Sequence, residues 1–217
     1  MSKASVQIEI KTLSEADMPD ALDTLVQAFA DDPVATHLFP DTLKRPAGMA
    51  HIFRMALRYG QKYGRVDVSR SSGAVAVWAR PEYAAASWTR LARAGYLATP
   101  FKLGWSATRR MLRFEDFIKG CRRRTLDVPH WYLFSIGVRP DRQGHGLGAA
   151  LLQHGLGRAQ TTGLPCYLET ANARNLPFYQ KHGFRAVGDK HLPDVGPGVW
   201  SLVAGETRGE RELENGL

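Results

Sequence analysis

The hydrophobic pattern of the N-terminal third predicts one strand followed by three helices. Residues 6–10 alternate apolar with polar side chains, which is typical of a half-buried strand. Apolar residues then recur at helical spacing from Leu22 to Phe29, and this stripe ends at Asp31-Asp32-Pro33, because proline interrupts a helix. A short second helix is predicted over 34–38 and a longer one over 49–57.

The middle of the chain predicts a hairpin and then a helical insertion. Two short apolar runs, 65–69 and 74–78, flank the turn at Ser71-Ser72-Gly73. Residues 81–124 are helical in pattern but are interrupted by Gly95, Pro100 and Gly104, which predicts two or three helices. The aromatic residues of this insertion form either core or part of an acceptor pocket or lid.

The C-terminal half alternates strands and helices. The longest aromatic-rich apolar run, 130–138, predicts a central strand that ends at Arg139-Pro140, because the residue before proline is disfavoured in helical geometry. A helix follows the glycines, then come a strand over 164–170, a short helix ending at Gly183 and two closing strands. We expect residues 1–205 to form a single domain and 206–217 to form a flexible tail.

Length and composition favour one cytoplasmic globular unit. The 217 residues, 44% of them hydrophobic, are sufficient for a full core. The N-terminus lacks an apolar segment of signal-peptide length and no run is long enough to span a membrane, so we expect a cytoplasmic protein without a membrane partner. Cys121 and Cys166 are the only cysteines and lack metal-ligand spacing, so no metal is expected.

The net charge of +8 favours anionic ligands without choosing among them. Much of the excess lies between Lys102 and Arg124, which is either a solvated helix face or an anion-contacting patch. No nucleic-acid readout motif accompanies these residues, so nucleic acid is not expected as a partner.

The segment that carries chemistry is a glycine-rich turn between the central strand and the next helix. Gly144, Gly146 and Gly148 alternate directly before a good helix. Glycines let a ligand approach the backbone closely, and the first N–H groups of a helix have no intrahelical partner, so this segment predicts a phosphate site.

The same glycines also fit a dinucleotide-binding fingerprint, and an NAD-dependent oxidoreductase is the competing function. Three observations disfavour it. Five residues, Arg139 to Gln143, separate the strand from the first glycine, whereas the fingerprint follows its strand directly. The motif lies too late in the chain for a doubly wound sheet, and two helices and a hairpin precede it.

The segment resembles the acetyl-CoA signature Q/R-x-x-G-x-G/A of the GCN5-related N-acetyltransferase (GNAT) superfamily, with Gln143, Gly146 and Gly148 in the fixed positions. Runs between Trp131 and Tyr179 are similar to the puromycin N-acetyltransferase-like subfamily. The resemblance implies an α/β (α+β) fold with a central mixed, mostly antiparallel sheet flanked by helices, with the helical insertion before the central strand. It also implies strands that splay at a Gly137-Val138 bulge and at Glu169-Thr170.

The resemblance further implies acetyl-CoA as the acyl donor. Pantetheine would lie in the wedge between the splayed strands, with the backbone N–H of Val138 facing the thioester oxygen, and residues 143–149 would hold the pyrophosphate. Asn172 is expected to bind the cofactor and Asn175 to cap the next helix, although either is a candidate for cofactor binding. The predicted cofactor-binding residues are therefore Ile136, Gly137, Val138, Gln143, Gly144, His145, Gly146, Leu147, Gly148, Ala149, Asn172 and Asn175.

Tyr179 and Glu169 are the predicted catalytic residues. Tyr179 matches the tyrosine that protonates the CoA sulfur in similar enzymes, while its alternative role is packing a helix on the sheet. Many relatives carry a glutamate on the central strand where this chain has Ser135, so the base is sought on the next strand. Glu169 lies there, on the same side as Tyr167 by strand alternation. A salt bridge is its alternative role.

Asp31 and Asp32 lie at an elbow that borders the acceptor site in similar folds and are candidate contacts for an ammonium group; helix capping is the alternative role of Asp32. The sequence therefore predicts direct acetyl transfer from acetyl-CoA to a primary amine, such as that of a small antibiotic, by a monomer or homodimer. The alternatives are acetylation of a protein or peptide and a CoA-binding regulator without catalytic activity.

Overall fold

The computed structural model of the protein describes residues 8–70, 73–85, 87–126, 128–192 and 196–206. The predictions for Val6, for Ser71-Ser72 and for the tail from 207 onward lie outside these ranges. The described chain contains seven strands and seven α-helices: β1 (Ile10–Thr12), α1 (Met18–Ala28), α2 (Pro33–Leu38), α3 (Arg45–Tyr63), β2 (Gly64–Ser69), β3 (Ala74–Ala79), α4 (Trp88–Ala94), α5 (Thr99–Thr125), β4 (Trp131–Val138), α6 (Leu147–Gln160), β5 (Cys166–Thr170), α7 (Leu176–Lys181), β6 (Arg185–His191) and β7 (Gly198–Ala204).

The strands form one seven-stranded sheet in the order β1-β2-β3-β4-β5-β7-β6. The β4–β5 pair is parallel, and the other neighbouring pairs are antiparallel. The predicted mixed, mostly antiparallel sheet is therefore confirmed. The helical insertion before the central strand is confirmed as well, since α4 and α5 precede β4 and α5 is interrupted by the positive φ of 74° at Gly104.

The two parallel strands separate soon after they pair. Only Trp131 with Cys166 and Tyr132 with Tyr167 are in register, although β4 continues to Val138 and β5 to Thr170. The sheet is therefore open between the far ends of these strands, as the predicted splay requires.

The bulge in β4 is not at Gly137-Val138, where it was predicted. Those two residues pair regularly with Val75 and Ala74 of β3, whereas the register shifts where Val77 faces Ser135 and the next residue faces Leu133, which leaves Phe134 as the extra residue. The bulge that the resemblance implied at Gly137-Val138 is therefore wrong in position. Gly137 is instead a site of close packing, since a Cβ there would lie 3.0 Å from atoms of Leu25 and Ala28 in α1.

Helices cover both faces of the sheet. Helices α1, α2, α3 and α5 supply the apolar core on one face, and α6 and α7 pack on the other. Helix α6 lies so close to β3 that a Cβ on Gly155 would be 2.2 Å from Trp78. The same helix is fixed to β2 by Arg158, whose Nη2 lies 2.9 and 2.8 Å from the two carboxylate oxygens of buried Asp67. Helix α6 and the loop before it therefore have a fixed position against the sheet.

Candidate active site

The glycine loop presents backbone N–H groups to solvent. Gly144 and Gly146 both adopt φ of 79°, in the left-handed region that side-chain-bearing residues rarely occupy. The first backbone hydrogen bond of α6 runs from the N–H of Ala150 to the carbonyl of Gly146 at 2.9 Å. The N–H groups of residues 147–149 precede that bond and therefore have no intrahelical partner. Gly146 offers no side chain to cap them, so these donors are suited to an anionic ligand.

Side chains of the loop hold its own backbone. Gln143 Nε2 donates to the carbonyl of Val138 at 3.1 Å, and His145 Nδ1 lies 2.9 Å from the carbonyl of Gln143. Both side chains therefore shape the turn. Gly148 leaves little free space, since a Cβ there would be 3.4 Å from Val138 Cγ2. A larger side chain at position 148 would project toward the strand end at Val138.

The structure gives the capping role to Asn172 and not to Asn175. Asn172 Oδ1 accepts a hydrogen bond from the N–H of Arg174 at 3.1 Å and so caps the 3₁₀ turn Ala173–Asn175. Asn175 precedes α7 with helical φ and ψ, makes no side-chain cap and lines the cavity described next. The capping role predicted for Asn175 was wrong, because the chain enters α7 through an additional turn that Asn172 begins.

A cavity of about 250 Å³ extends from helices α1, α2, α3 and α5 into the opening between the splayed strands, where α7 reaches it from the other face. Strand β4 contributes residues 132–136 to its wall, and β5 with the following residues contributes 168–171. The remaining wall comes mainly from α1, α2, α3, α5 and α7. The insertion therefore forms part of the cavity wall, with Tyr96, Met111, Phe114, Glu115, Ile118, Lys119 and Arg122.

Glu169 is the most unusual polar group in this wall. Within the described part of the chain, neither carboxylate oxygen accepts a hydrogen bond, although both are buried. Burial raises the pKa of Glu169 from its usual 4.5 to about 7, and the guanidinium of Arg122 and the hydroxyls of Tyr132 and Tyr167 lower it only in part. Neither hydroxyl reaches the carboxylate in hydrogen-bond geometry, and that of Tyr167 pairs with Ser201 Oγ at 2.9 Å instead.

Tyr179 and Asp32 face the same cavity from other elements. Burial raises the pKa of the Tyr179 phenol well above its usual range, and the nearby Asp32 carboxylate raises it further. Tyr179 therefore keeps its proton at neutral pH. Asp32 Oδ1 accepts from the N–H of Val34 at 2.8 Å, so it caps α2 while lining the cavity, and burial raises its pKa.

Comparison with known proteins finds similarity to one family, that of the GNAT acetyltransferases. The profile of the Acetyltransferase (GNAT) family matches residues 107–184, which include the glycine loop, Glu169 and Tyr179. A curated relative, an uncharacterized N-acetyltransferase of Schizosaccharomyces pombe, is 28% identical over 182 residues, which are 80% of this chain and 73% of the relative. A Corynebacterium glutamicum structure, described as histone acetyltransferase HPA2 and related acetyltransferase, is 25% identical with a TM-score of 0.68, covering 92% of this chain and 97% of the other.

The chain has the fold of GNAT acetyltransferases, and its residues 107–184 match the model of that family. A polyamine N-acetyltransferase of Drosophila melanogaster that forms N-acetylagmatine shares the fold at 14% identity with a TM-score of 0.60, covering 92% of this chain and all (100%) of the other. The splayed strands, the glycine loop and the cavity are thus the parts of an acetyltransferase fold.

Asp31 lies outside the cavity wall. Its side chain is fully exposed and lies 3.8 Å from Arg45 Nη1. Asp32 turns inward to cap α2, so a contact between Asp31 and the acceptor stays a prediction. Ser135, which stands where many relatives carry glutamate, lines the cavity with a buried Oγ that lacks a hydrogen-bond partner among the described residues.

Two residues of the cavity wall gain their significance only from the fold, although Tyr96 is one of the insertion's aromatic residues for which core or an acceptor pocket was predicted. Arg122, one of many basic residues between 102 and 124, is 8% exposed and stacks on the Tyr132 ring at 4.4 Å. Tyr96 donates a hydrogen bond to Glu115. No pattern separates these residues from their solvent-facing neighbours, because their positions depend on how α5 folds back over the sheet.

The described residues form neither a metal site nor a membrane-spanning helix. Among the residues that the structure describes, no group of three or more His, Cys, Asp or Glu side chains is arranged to hold a metal ion. In the same ranges, every helix is too short or too polar to cross a bilayer. Both cysteines are buried free thiols.

Proposed function

We propose that this acetyltransferase uses acetyl-CoA to acetylate the primary amine of a small molecule by direct attack. The observation that carries the proposal is Glu169, a buried carboxylate without a hydrogen-bond partner in the described chain, in the same cavity as Tyr179. A protein or peptide acceptor would favour a long groove instead. A cavity of about 250 Å³ between strands and helices favours a small molecule.

The glycine loop fits the donor end of acetyl-CoA. Free N–H groups at the start of α6 are suited to its pyrophosphate. The N–H of Arg139 donates to Gly73 on the β3 side at 2.8 Å. Because alternate N–H groups of a strand point to opposite edges, the N–H of Val138 faces the opening between β4 and β5. There it would stabilise an oxyanion on the thioester carbonyl, an interaction worth about 3 kcal/mol in other enzymes.

Two side chains of the cavity would move the protons. Acetyl-CoA supplies an activated acetyl group as a thioester. Glu169 would take a proton from the acceptor ammonium, because a carboxyl with a pKa of about 7 is half ionised at neutral pH. The amine nitrogen would then bond to the acetyl carbon in place of the sulfur, and Tyr179 would give its phenolic proton to the departing sulfur. The proton that the acetylated nitrogen loses would restore the phenol. The products are the acetylamide and CoA thiol.

Thermal melting with acetyl-CoA and thiol release with amines test this function. Acetyl-CoA at a hundred times its dissociation constant should add about 2.7 kcal/mol, which raises Tm by roughly 5–10 °C for a chain of this size. Thiol release should then require an amine. A Tm shift without thiol release from any small amine would favour the CoA-binding regulator, and release with peptides alone would favour a peptide acceptor.

A further inference from the structure

The helical insertion carries most of the exposed large hydrophobic side chains of the described chain. Seven such side chains are exposed among the described residues, and four of them lie between Leu97 and Leu112. Phe101 is 90% exposed, Trp105 79% and Leu97 75%. Single exposed hydrophobic residues are normal on a protein surface, but a group of them in one short segment is typical of an interaction surface.

The fold determines which side of this segment faces solvent. Ala107 and Met111 of α5 lie in the core that covers one face of the sheet. Trp105, Arg109 and Leu112 recur at helical spacing on the other side of α5, and all three are exposed. The helix is therefore held by its inner side, while its outer side presents both apolar and basic residues.

The same segment is strongly basic. Over residues 83–114 the chain contains six Arg or Lys residues and no Asp or Glu. Arg93, Lys102 and Arg109 are among these six and are exposed. A surface of this sign attracts anionic partners and repels cationic ones. The basic residues of the insertion therefore lie on a surface that also exposes large hydrophobic side chains.

Charge and chemistry together favour a lipid surface as the partner. In a symmetric dimer this face would contact a copy of itself, which would bring cations together without an acidic residue from 83–114 to compensate them. Single-stranded nucleic acid would stack on the aromatic rings but would leave Leu97 and Leu112 without a contact of their own kind. An anionic bilayer offers a negative headgroup layer directly above an apolar one.

We propose that the outer face of the insertion, residues 97–112, binds the surface of a bilayer that contains anionic headgroups. Phe101 and Trp105 would lie at the boundary between headgroups and acyl chains, where aromatic side chains are favoured. Lys102 and Arg109 would lie against the headgroups. The sequence predicted no membrane partner because it has no run long enough to span a bilayer, but binding at the surface needs none.

Surface binding would bring the cavity close to the bilayer. The inner side of α5 lines the cavity with Met111, Phe114 and Ile118, while the outer side of the same helix would contact headgroups. The inference does not rest on acetyl transfer, because binding to lipid requires neither acetyl-CoA nor an amine.

Co-sedimentation of the full chain with vesicles tests the inference. Vesicles of phosphatidylcholine alone are compared with vesicles of phosphatidylcholine and phosphatidylglycerol. We expect binding to the anionic vesicles to be about 100-fold tighter at low salt, because each of three exposed cations contributes about fivefold near an anionic surface. Added salt should weaken this binding. Equal binding to both kinds of vesicle, or binding to neither, would overturn the inference.

Phe101→Ala combined with Trp105→Ala tests the apolar contribution. Both side chains are exposed, so Tm should stay close to that of wild type, whereas binding to anionic vesicles should weaken by about tenfold or more. Leu43→Ala is the matched control, because Leu43 is 91% exposed but lies outside the insertion, and its binding should equal that of wild type. Full binding by the folded double variant would contradict the proposed contact.

Lys102→Glu combined with Arg109→Glu tests the charge contribution. We expect the preference for anionic over neutral vesicles to fall by about tenfold or more. Lys62→Glu combined with Arg65→Glu is the matched control, because it changes the net charge equally at exposed positions outside the insertion. The control should keep most of the preference. An equal loss in both pairs would mean that net charge alone attracts the lipid, which would overturn the assignment to this face.

Two other partners would give different results. Concentration-dependent dimerisation in analytical ultracentrifugation, lost on Phe101→Ala with Trp105→Ala and without vesicle binding, would assign the face to a second copy of the chain. Tighter binding to single-stranded RNA than to anionic vesicles, lost in the same variant, would assign it to nucleic acid. Either result would overturn the lipid surface. Thiol release is measured separately, so a failure of the proposed acetyl transfer would leave the vesicle results unchanged.

Discussion

The proposed donor side and the proposed acceptor side of the chain are built by different means. The proposed donor side is the contiguous loop 143–149, which would bind its ligand through backbone N–H groups and whose residues before α6 are exposed. The acceptor side is a cavity whose wall combines residues as distant as Phe29 and Val199. The loop can therefore bind its ligand with little dependence on side chains, whereas the cavity depends on the identity of each side chain.

The electrostatic environments of the two sides also differ. Burial raises the pKa values of Asp32, Glu115 and Glu169, all in the cavity wall. The loop instead keeps its charged neighbours, such as Arg142, in solvent. Because strongly perturbed acids are typical of catalytic sites, the cavity is where proton transfer is expected. Substitutions in the cavity should change turnover, and substitutions in the loop should change acetyl-CoA affinity.

Glu169→Gln should give the largest effect and would separate the two sides. Loss of a general base commonly lowers rates by about 10² to 10⁴, and we expect kcat to fall within that range. The Tm shift with acetyl-CoA should be retained, because the loop is untouched. In the wild type, kcat/KM should rise with pH through about 7, since Glu169 must be ionised to accept a proton.

Glu82→Gln is the control for this substitution, because Glu82 is exposed and lies outside the cavity wall. It should retain wild-type turnover and the same pH profile. Full turnover in Glu169→Gln would show that another group is the base, and loss of the acetyl-CoA shift would show that the two sides are not independent.

Gly146→Val should affect the donor side alone. The left-handed φ of 79° costs a residue with a side chain about 1–2 kcal/mol, so the loop should move and the dissociation constant of acetyl-CoA should rise by roughly tenfold. Isothermal titration measures the constant, and KM for the amine should stay within twofold. Gly157→Ala is the control in α6, because no atom lies within 4 Å of its added Cβ and φ there is not positive. A larger change in amine KM than in acetyl-CoA affinity would contradict the separation.

The same contrast explains what the sequence could predict. The loop is local in the chain, so the spacing of Gly144, Gly146 and Gly148 indicates both its conformation and its ligand class. Strand alternation likewise places Glu169 on the side of Tyr167, and the pKa of Tyr167 is raised in part by that carboxylate. Both features depend on residues that are close together in the chain or that recur with a strand's period of two, so they can be predicted from the sequence.

The predictions failed at positions that depend on tertiary packing. Asp31 and Asp32 were both candidate contacts for an ammonium group, yet only Asp32 lines the cavity. Phe134 is the extra residue of β4, whereas the resemblance implied a bulge at Gly137-Val138. Arg122 resembles seven other basic residues between 102 and 124, and only the fold shows that it is buried against Tyr132.

The smallest effect we predict concerns stability, and it tests the environment of Glu169 without any substrate. A carboxyl with a pKa of about 7 when folded and 4.5 when unfolded holds its proton more tightly in the folded state, so it lowers stability progressively as pH rises above 4.5. Glutamine carries no such charge and its amide costs the same at every pH, so the pH dependence comes from the carboxyl alone and is of the order of 1 kcal/mol between pH 5 and pH 6. We therefore expect Glu169→Gln to melt about 2–4 °C higher relative to wild type at pH 6 than at pH 5. Differential scanning calorimetry without ligands measures this, and an equal difference at both pH values would mean that the carboxylate is solvated and that the cavity is not the dry site that its wall suggests.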